Sequence, residues 1–354
     1  MRILAALSGG VDSSVAALLL KNAGHEITGI TMSVYREGVV ETTGGNACYG
    51  ADEKDDIEAA REFCRKIDIP YHVFDCSEEY EKIVLDYFKE EYRNGRTPNP
   101  CIRCNQLVKL GVLPKAAEKS GLDFDKIATG HYVNVNENEK SGRYYLTEAV
   151  DSKKDQSYFL YRLSQSQLSR LMFPLGKLTK AEVREIAREY SLASAESEES
   201  QDFISGDYKT LFKESGKTGN IIDTDGRILG IHQGLFNYTI GQRRGLGISA
   251  QHPLYVVKID KSTNSVIVGN REELSGDTFG LADLSWMKLV EGQQNFDAMV
   301  KIRSAHNAVS AEITVNNDGT AIVHTHEAVN AATPGQSAVF YNNQGDILGG
   351  GVII

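Results

Sequence analysis

Eight residues near the N-terminus, Leu7-Ser8-Gly9-Gly10-Val11-Asp12-Ser13-Ser14, restrict the folds open to this chain more than any other stretch. Ile3 to Leu7 suit a short buried strand, and Val11 to Ala23 suit a helix with Val15, Leu18 and Leu19 on its apolar face. A tight turn must join them. Gly9 and Gly10 let the backbone reverse sharply and approach a ligand, while free N–H groups at the helix start present the positive end of its dipole. That arrangement favours an anion. Ser8, Ser13 and Ser14 add hydroxyl donors, and Asp12 is a hard oxygen ligand suited to Mg2+ held against phosphate oxygens.

Glycines at such junctions also serve packing, so Asp12 and the serines carry the functional reading. The loop lacks the lysine of a Walker A motif, which disfavours γ-phosphoryl transfer. Ser-Gly-Gly-Val-Asp-Ser resembles the PP-loop of the ATP pyrophosphatases, which grip pyrophosphate while AMP passes to an acceptor oxygen. Pyrophosphate is the leaving group such a loop stabilises.

At 354 residues the chain exceeds what one core organises, and two or three domains are expected. No apolar run reaches membrane-spanning length. Arg2 precedes apolar residues as in a signal peptide, but Asp12 and the serines interrupt that stretch, so a cytoplasmic protein with no membrane partner is expected. Five cysteines make no disulfide scaffold and suit a reducing compartment. A net charge of -10 argues against coating nucleic acid non-specifically. Local basic clusters remain: Arg93, Arg96, Arg103 and Lys109; Lys153 and Lys154; Arg243 and Arg244; Lys301 and Arg303. Each alone reads as a solvated face, but their place beside glycine-rich and polar motifs favours a shared role.

Glu26 to Met32 read as a second strand, followed by a Gly- and Thr-rich loop carrying Cys48. Asp52 to Asp68 read as an amphipathic helix with Ile57, Ala60, Phe63, Cys64 and Ile67 on one side, which makes Cys64 a core residue. Tyr71 to Phe74 form a strand and Ser77 to Asn94 a helix stopped by Gly95, with Cys76 structural between them. Strand alternating with helix predicts an α/β fold with a parallel sheet.

In Gly95-Arg96-Thr97-Pro98-Asn99-Pro100-Cys101-Ile102-Arg103-Cys104-Asn105, two prolines stiffen a loop that delivers two cysteines to a helix start. A helix N-terminus and nearby arginines predict lowered thiol pKa values. Cys-x-x-Cys serves as a redox pair, half a zinc site or part of an iron–sulfur site. There is no second such pair, which argues against a four-cysteine zinc site and leaves Cys48 or a histidine as a further ligand.

With these residues the chain resembles the bacterial tRNA-specific 2-thiouridylases over nearly its full length. The resemblance is carried by the PP-loop, Met32, Gly95 to Asn105, Ala128-Thr129-Gly130-His131-Tyr132, Lys154 to Leu160 and Phe173-Pro174-Leu175-Gly176. It continues through His232-Gln233-Gly234, Gly241-Gln242-Arg243-Arg244-Gly245-Leu246-Gly247 and Thr333-Pro334-Gly335-Gln336. It implies ATP-dependent replacement of the C2 oxygen of a tRNA wobble uridine by sulfur, because adenylation turns a poor oxygen leaving group into AMP. The implied ATP site is Ala6, Leu7, Ser8, Gly9, Gly10, Val11, Asp12 and Ser13 with Met32 and Gly130, and Asp12 would hold Mg2+. Cys104 matches the nucleophilic cysteine. Asn99, Pro100 and Cys101 match the segment meeting the target base, and Lys154, Asp155, Gln156, Arg243, Arg244, Arg303 and Ser304 are the tRNA positions.

This chain departs from the family where many members carry a second cysteine in a Ser-Gln-x-x-Cys-Phe-like segment. The corresponding stretch, Glu199-Ser200-Gln201-Asp202-Phe203-Ile204-Ser205-Gly206-Asp207-Tyr208, is shortened and has none, and no cysteine occurs after Cys104. Cys101 stands where many members have aspartate. Two sulfur routes are open. In one, Cys101 and Cys104 share a persulfide relay fed by a cysteine desulfurase or relay protein. In the other, Cys101, Cys104 and Cys48 hold a [4Fe-4S] cluster that takes free sulfide; Cys48 is placed by a loop opening at the carboxyl end of the sheet.

Thr179-Lys180-Ala181-Glu182 is a capping box opening a helix through Tyr190. Asp225-Gly226, Asp318-Gly319 and Gln344-Gly345 sit between alternating apolar runs as hairpin turns. His324 and His326 alternate on one strand face as surface residues. The expected architecture is a parallel-sheet PP-loop domain of the adenine nucleotide alpha-hydrolase-like kind (1–200), a small central β-rich domain (201–272) and a C-terminal antiparallel β-barrel (273–354). Two rivals remain: an adenylate-forming amide ligase, which needs no Cys104, and a non-catalytic tRNA-binding or sulfur-carrier protein.

Overall fold

The computed structural model describes residues 1–39, 47–196, 202–204, 206–212 and 216–354. Residues 40–46 of the Gly- and Thr-rich stretch before Cys48, and Glu199, Ser200, Gln201 and Ser205 of the shortened stretch, lie outside the described residues. The chain forms two compact units, one of Met1–Val84, Cys101–Tyr208 and Gln344–Leu348, the other of Leu85–Pro100, Lys209–Asn343 and Gly349–Ile354.

In the first unit, β1 (Arg2–Ala6), α1 (Val11–Asn22), β2 (Glu26–Ser33), β3 (Ala47–Tyr49), α2 (Glu53–Lys66), β4 (Tyr71–Asp75) and β5 (Lys126–Thr129) succeed one another in chain order. β4, β2, β1, β5 and the strand Leu171–Met172 make a five-stranded sheet, and each neighbouring pair is parallel. β1 is central, which accounts for the unbroken apolar run in its sequence. Parallel order sends each strand's carboxyl end to the same edge, where α/β proteins bind ligands. α1 is buried on most sides rather than on one stripe, with Val15, Ala16, Ala17, Leu18 and Leu20 enclosed and Leu19 only partly so. Its alanines let neighbouring elements approach closely. The helix Lys180–Glu189 begins with both halves of the Thr179–Glu182 capping box, as its sequence requires.

Two helices depart from simple periodicity. The one expected over Ser77 to Asn94 contains a π-helical segment, Glu81–Leu85, between Ser77–Tyr80 and Asp86–Arg93. The helix that starts at Pro100 becomes π-helical over Cys104–Val112. Cys48 lies on strand β3, not in a loop, and β3 pairs in parallel with Asp202–Ile204.

In the second unit, Gly219–Asp223 and Ile228–His232 form the hairpin expected around Asp225-Gly226, within a four-stranded sheet completed by Tyr255–Asp260 and Ser265–Gly269. Six further strands from Ser275 onward close into a barrel, with the expected Asp318-Gly319 turn between two antiparallel neighbours. The architecture is the expected α/β, β-rich and barrel succession. His324 and His326 are exposed on one strand face. No helix among the described residues is long and apolar enough to cross a membrane.

Candidate functional site

The glycine turn sits at the carboxyl end of β1. Gly9 has φ +77°, and a Cβ there would lie 2.6 Å from the Asp56 carbonyl oxygen of α2. Conformation and space therefore both demand glycine. Ser13 Oγ accepts from the Ser8 N–H at 3.1 Å and donates to the Gly10 carbonyl at 3.2 Å, and Ser14 Oγ donates to the same carbonyl at 3.0 Å. These two buried hydroxyls brace the turn, while Ser8 is exposed. Gly130 comes directly after β5, and a Cβ there would fall 2.6 Å from the Ser13 nitrogen and 2.7 Å from the Asp12 carbonyl carbon. Ala6, Met32 and Gly130, far apart in sequence, are thus gathered at the carboxyl ends of three neighbouring strands, β1, β2 and β5. Leu7 and Val11 are buried beneath them.

Asp12 is held by two side chains not foreseen as site residues. Tyr132 Oη donates to Asp12 Oδ1 at 2.7 Å, and Lys180 Nζ reaches Oδ1 and Oδ2 at 2.7 and 2.8 Å. Lys180 also lies 5.9 Å from the Tyr132 ring centroid. Tyr132 is fixed through its backbone: its N–H donates to Gln156 Oε1 at 2.9 Å and its carbonyl accepts from the Gln156 N–H at 3.0 Å. Asp151 Oδ2 accepts from the Lys180 N–H at 3.0 Å. Asp155 accepts from the Ala149 N–H at 3.0 Å and Ser157 Oγ at 2.7 Å, so it holds a turn, and Lys154 is half-buried beside it.

Glu53, at the start of α2, accepts from Ser33 Oγ at 2.6 Å and from the N–H groups of Val34 and Tyr35 at 2.6 and 2.9 Å. It fixes the backbone immediately after Met32. Three residues on, Asp56 has its carboxyl pushed up to about 6 by burial and by the charges of Asp52, Asp55 and Glu53.

Cys64 and Cys76 are buried, as expected of core thiols, and burial pushes each up to about 12. Cys101 and Cys104 are half-buried and Cys48 is exposed. The lowered thiol pKa values expected of Cys101 and Cys104 are not found. Burial pushes Cys101 up to about 12, reinforced by charge on Cys48 and Cys104, with Lys109 opposing. Burial likewise pushes Cys104 up to about 11 against the Lys109 charge and backbone N–H. Desolvation of the thiolate outweighs the helix start. The same three sulfurs bear on Tyr80, whose hydroxyl is raised, chiefly by burial. Tyr80 stacks on Tyr49, the neighbour of Cys48, at 5.4 Å. Cys48, Cys101 and Cys104 therefore share one neighbourhood. Among the described residues, no three His, Cys, Asp or Glu side chains are grouped closely enough to hold a single metal ion. His131, buried with Nδ1 2.6 Å from Thr129 Oγ1, is held neutral by burial and by the Lys109 charge.

The π-helical turn that carries Cys104 leaves carbonyls out of an α-helical pattern, and Gln167 answers them. Its Nε2 donates to Gln106 and Leu110 at 2.7 and 2.9 Å.

In the second unit, Thr97 N–H donates to the Pro334 carbonyl at 2.8 Å, and a Cβ at Gly335 would lie 2.9 Å from the Thr97 nitrogen. Arg96 pairs with Glu91 at 2.7 and 2.5 Å. These contacts hold the loop leading to half-buried Asn99 and to Pro100, the first residue of a helix. Arg243 and Arg244 are exposed, and Arg243 lines a cavity of about 440 Å³ with Leu246, His252 and Pro253. Arg303 donates to the Ala331 carbonyl at 3.0 Å and Thr333 Oγ1 at 2.8 Å, which gives it a role in the barrel, while Ser304 is exposed.

Three family models match in succession: the tRNA methyl transferase HUP domain over residues 1–205, its PRC-barrel domain over 209–270 and the aminomethyltransferase beta-barrel domain over 276–353. A tRNA-specific 2-thiouridylase MnmA of Endomicrobium trichonymphae is 46% identical over 358 residues, covering 100% of this chain and 99% of the relative. Proteins of the same name from Geobacter metallireducens and Chloroflexus aurantiacus are 43% and 42% identical, over 99% of this chain and 96% and 98% of theirs.

Proposed function

The chain belongs to the tRNA-specific 2-thiouridylases, which are tRNA sulfurtransferases, and from that premise we propose how its own residues perform the reaction. ATP binds at the glycine turn, with Ala6 to Ser13, Met32 and Gly130 around it. The C2 oxygen of the wobble uridine, position 34 of tRNA, attacks the α-phosphorus. An oxygen–phosphorus bond forms, the bond to the β-phosphate oxygen breaks, and pyrophosphate departs. The terminal sulfur of a persulfide on the Cys101/Cys104 pair then attacks C2, the C2–oxygen bond breaks and AMP leaves. The second thiolate of the pair attacks the inner sulfur, and the S–S bond breaks with its electron pair passing to the sulfur on C2. 2-Thiouridine is released with a Cys101–Cys104 disulfide that a thiol reductant restores. The observation that carries this reading is that one compact unit holds both the braced anion-binding turn and three neighbouring thiols.

Asp12, a carboxylate beside a hydroxyl-rich turn, fits Mg2+ by donor chemistry. When bound, the ion would neutralise phosphate charge. Asn99, Pro100 and Cys101 meet the extruded base. Lys154, Asp155, Gln156, Arg243, Arg244, Arg303 and Ser304 remain the proposed tRNA positions, with Asp155, Gln156 and Arg303 serving through the loops they hold. For sulfur, the reading is a persulfide on the Cys101/Cys104 pair, two thiols that follow one another at one helix start. The sulfur donor in this route is a cysteine desulfurase or relay protein.

The test is iron and acid-labile sulfide per chain after anaerobic purification, together with tRNA-dependent release of AMP and pyrophosphate. Persulfide chemistry predicts sulfane sulfur, lost in Cys101→Ser and Cys104→Ser, and negligible iron. Near-stoichiometric iron lost in the same variants would instead establish the [4Fe-4S] route, and its loss in Cys48→Ser as well would make Cys48 the third ligand.

A further inference from the structure

We propose that Cys48 is the entry thiol of the sulfur route: it takes the outer sulfur of the donor protein's persulfide and hands it to Cys101. This inference rests on the persulfide reading of the Cys101/Cys104 pair. Cys48 is exposed, whereas Cys101 and Cys104 are half-buried. Exchange with a persulfide on another protein depends on access to the attacking sulfur. Cys48 alone of the three meets that condition.

Its neighbours hold it beside the pair. Tyr49 is buried, stacked on buried Tyr80 at 5.4 Å and edge-on to Tyr35 at the same distance. β3 also pairs in parallel with Asp202–Ile204, with Tyr49 opposite Ile204. The strand is thereby fixed, while the thiol one residue before its anchor stays open to solvent. The Tyr80 helix, Ser77–Tyr80, packs against the π-helical run that Cys104 opens, so one tyrosine joins the strand of Cys48 to the helix of the pair. Beyond burial, charge on Cys48 is felt at both Cys101 and Cys104, and at Cys101 it outweighs the charge of Cys104. That makes Cys101 the first receiver. A persulfide adds one S–S length, about 2 Å, to the reach of Cys48.

The transfer balances without an added oxidant. The Cys48 thiolate attacks the outer sulfur of the donor persulfide, the bond from that sulfur to the donor cysteine breaks, and its electron pair leaves with the donor thiolate. Cys101 then gives up its proton and attacks the same sulfur on Cys48. A new S–S bond forms on Cys101, the old one breaks, and Cys48 recovers its electron pair and a proton. Each step moves one neutral sulfur atom. Burial keeps the Cys101 thiolate scarce, which penalises a passing donor more than a sulfur already held in the same compact unit.

The test loads the full chain from a cysteine desulfurase charged with radiolabelled cysteine, and separately from glutathione persulfide, and locates sulfane sulfur by peptide mass spectrometry. In Cys101→Ser/Cys104→Ser, which keeps Cys48, the desulfurase should leave its sulfur on the Cys48 peptide. Cys48→Ser should slow desulfurase loading of Cys101 on the order of 100-fold. Glutathione persulfide, small enough to reach a half-buried thiol unaided, should restore loading of that variant toward the wild-type rate. Desulfurase loading of Cys48→Ser at the wild-type rate would overturn the proposal, as would a Cys101→Ser/Cys104→Ser chain without sulfur on Cys48. Equal losses with both donors would make Cys48 a structural residue and defeat it too. A wild-type chain that carries no sulfane sulfur on Cys101 or Cys104 from either donor would instead overturn the persulfide reading on which the relay rests.

Discussion

The side-chain amide of Gln336 donates to the Thr97 carbonyl at 2.8 Å, joining residues 239 positions apart. It also reaches the Pro98 carbonyl at 3.3 Å. The Thr333-Pro334-Gly335-Gln336 turn of the barrel is thus a clasp on the proline-stiffened loop that runs into Cys101.

Gln336→Ala should cost about 1 kcal/mol of stability, the loss expected when part-buried carbonyls lose their donor. It should also slow single-turnover thiolation while leaving ATP binding unchanged. Urea unfolding and a nucleotide-binding titration on the same variant check both halves; weakened ATP binding would show that the clasp has wider effects.

The thiols predict an unusual pH profile. With Cys101 near 12 and Cys104 near 11, iodoacetamide labelling in a Cys48→Ser background should rise about tenfold per pH unit from 7 to 10 without levelling off. An ordinary thiol levels off above about pH 9.5. Lys109→Met should slow labelling further, because the Lys109 charge favours both thiolates. A plateau below pH 9 would contradict the assigned burial.

Gly9→Ala meets the Asp56 carbonyl and a left-handed backbone at once. The conformation alone costs about 1–2 kcal/mol, and the collision adds to it. Gly130→Ala presses on the first turn of α1 without a positive φ. Its expected signature is therefore lost ATP affinity with a smaller fall in Tm than for Gly9→Ala, read by calorimetry and thermal melts.

Two kinds of arginine should separate experimentally. Replacing exposed Arg243 and Arg244 by Ala should weaken tRNA binding and reduce its salt slope by roughly 1.5 for the pair, with Tm unchanged. Arg303→Ala should lower Tm, since it removes donors from Ala331 and Thr333. Filter binding across a salt series gives the slope; an unchanged slope would remove Arg243 and Arg244 from the footprint.

Asp56 titrates near 6 in the folded chain against 3.8 ordinarily. The folded state holds this proton more tightly, so its contribution favours the fold at low pH and is lost as pH rises from about 4 through 6. Asp56→Asn should therefore raise Tm at pH 8 and leave it nearly unchanged at pH 4. Equal shifts at both pH values would show that its charge is not the cause.

The parallel sheet, the glycine turn and the Thr179 capping box could be read from sequence because each rests on residues within a few positions of one another. The Asp12 partners could not. Tyr132 and Lys180 reach it from 120 and 168 positions away, and nothing in a capping box says where its first lysine points. Cys101 and Cys104 were legible as a pair, but their pKa values were not. A helix start and nearby arginines are visible in sequence, whereas the burial that outweighs them is a property of packing. Arg303 looked like its exposed counterparts until the barrel closed around it.

The π-helical run Cys104–Val112 also limits which changes in chain length this enzyme can absorb. A π-helical turn holds i→i+5 spacing, so removing one residue here would draw the run toward an α-helix. It would also leave the Gln167 amide facing the wrong carbonyls. Apart from Cys104 and Lys109, what the segment must keep is its residue count.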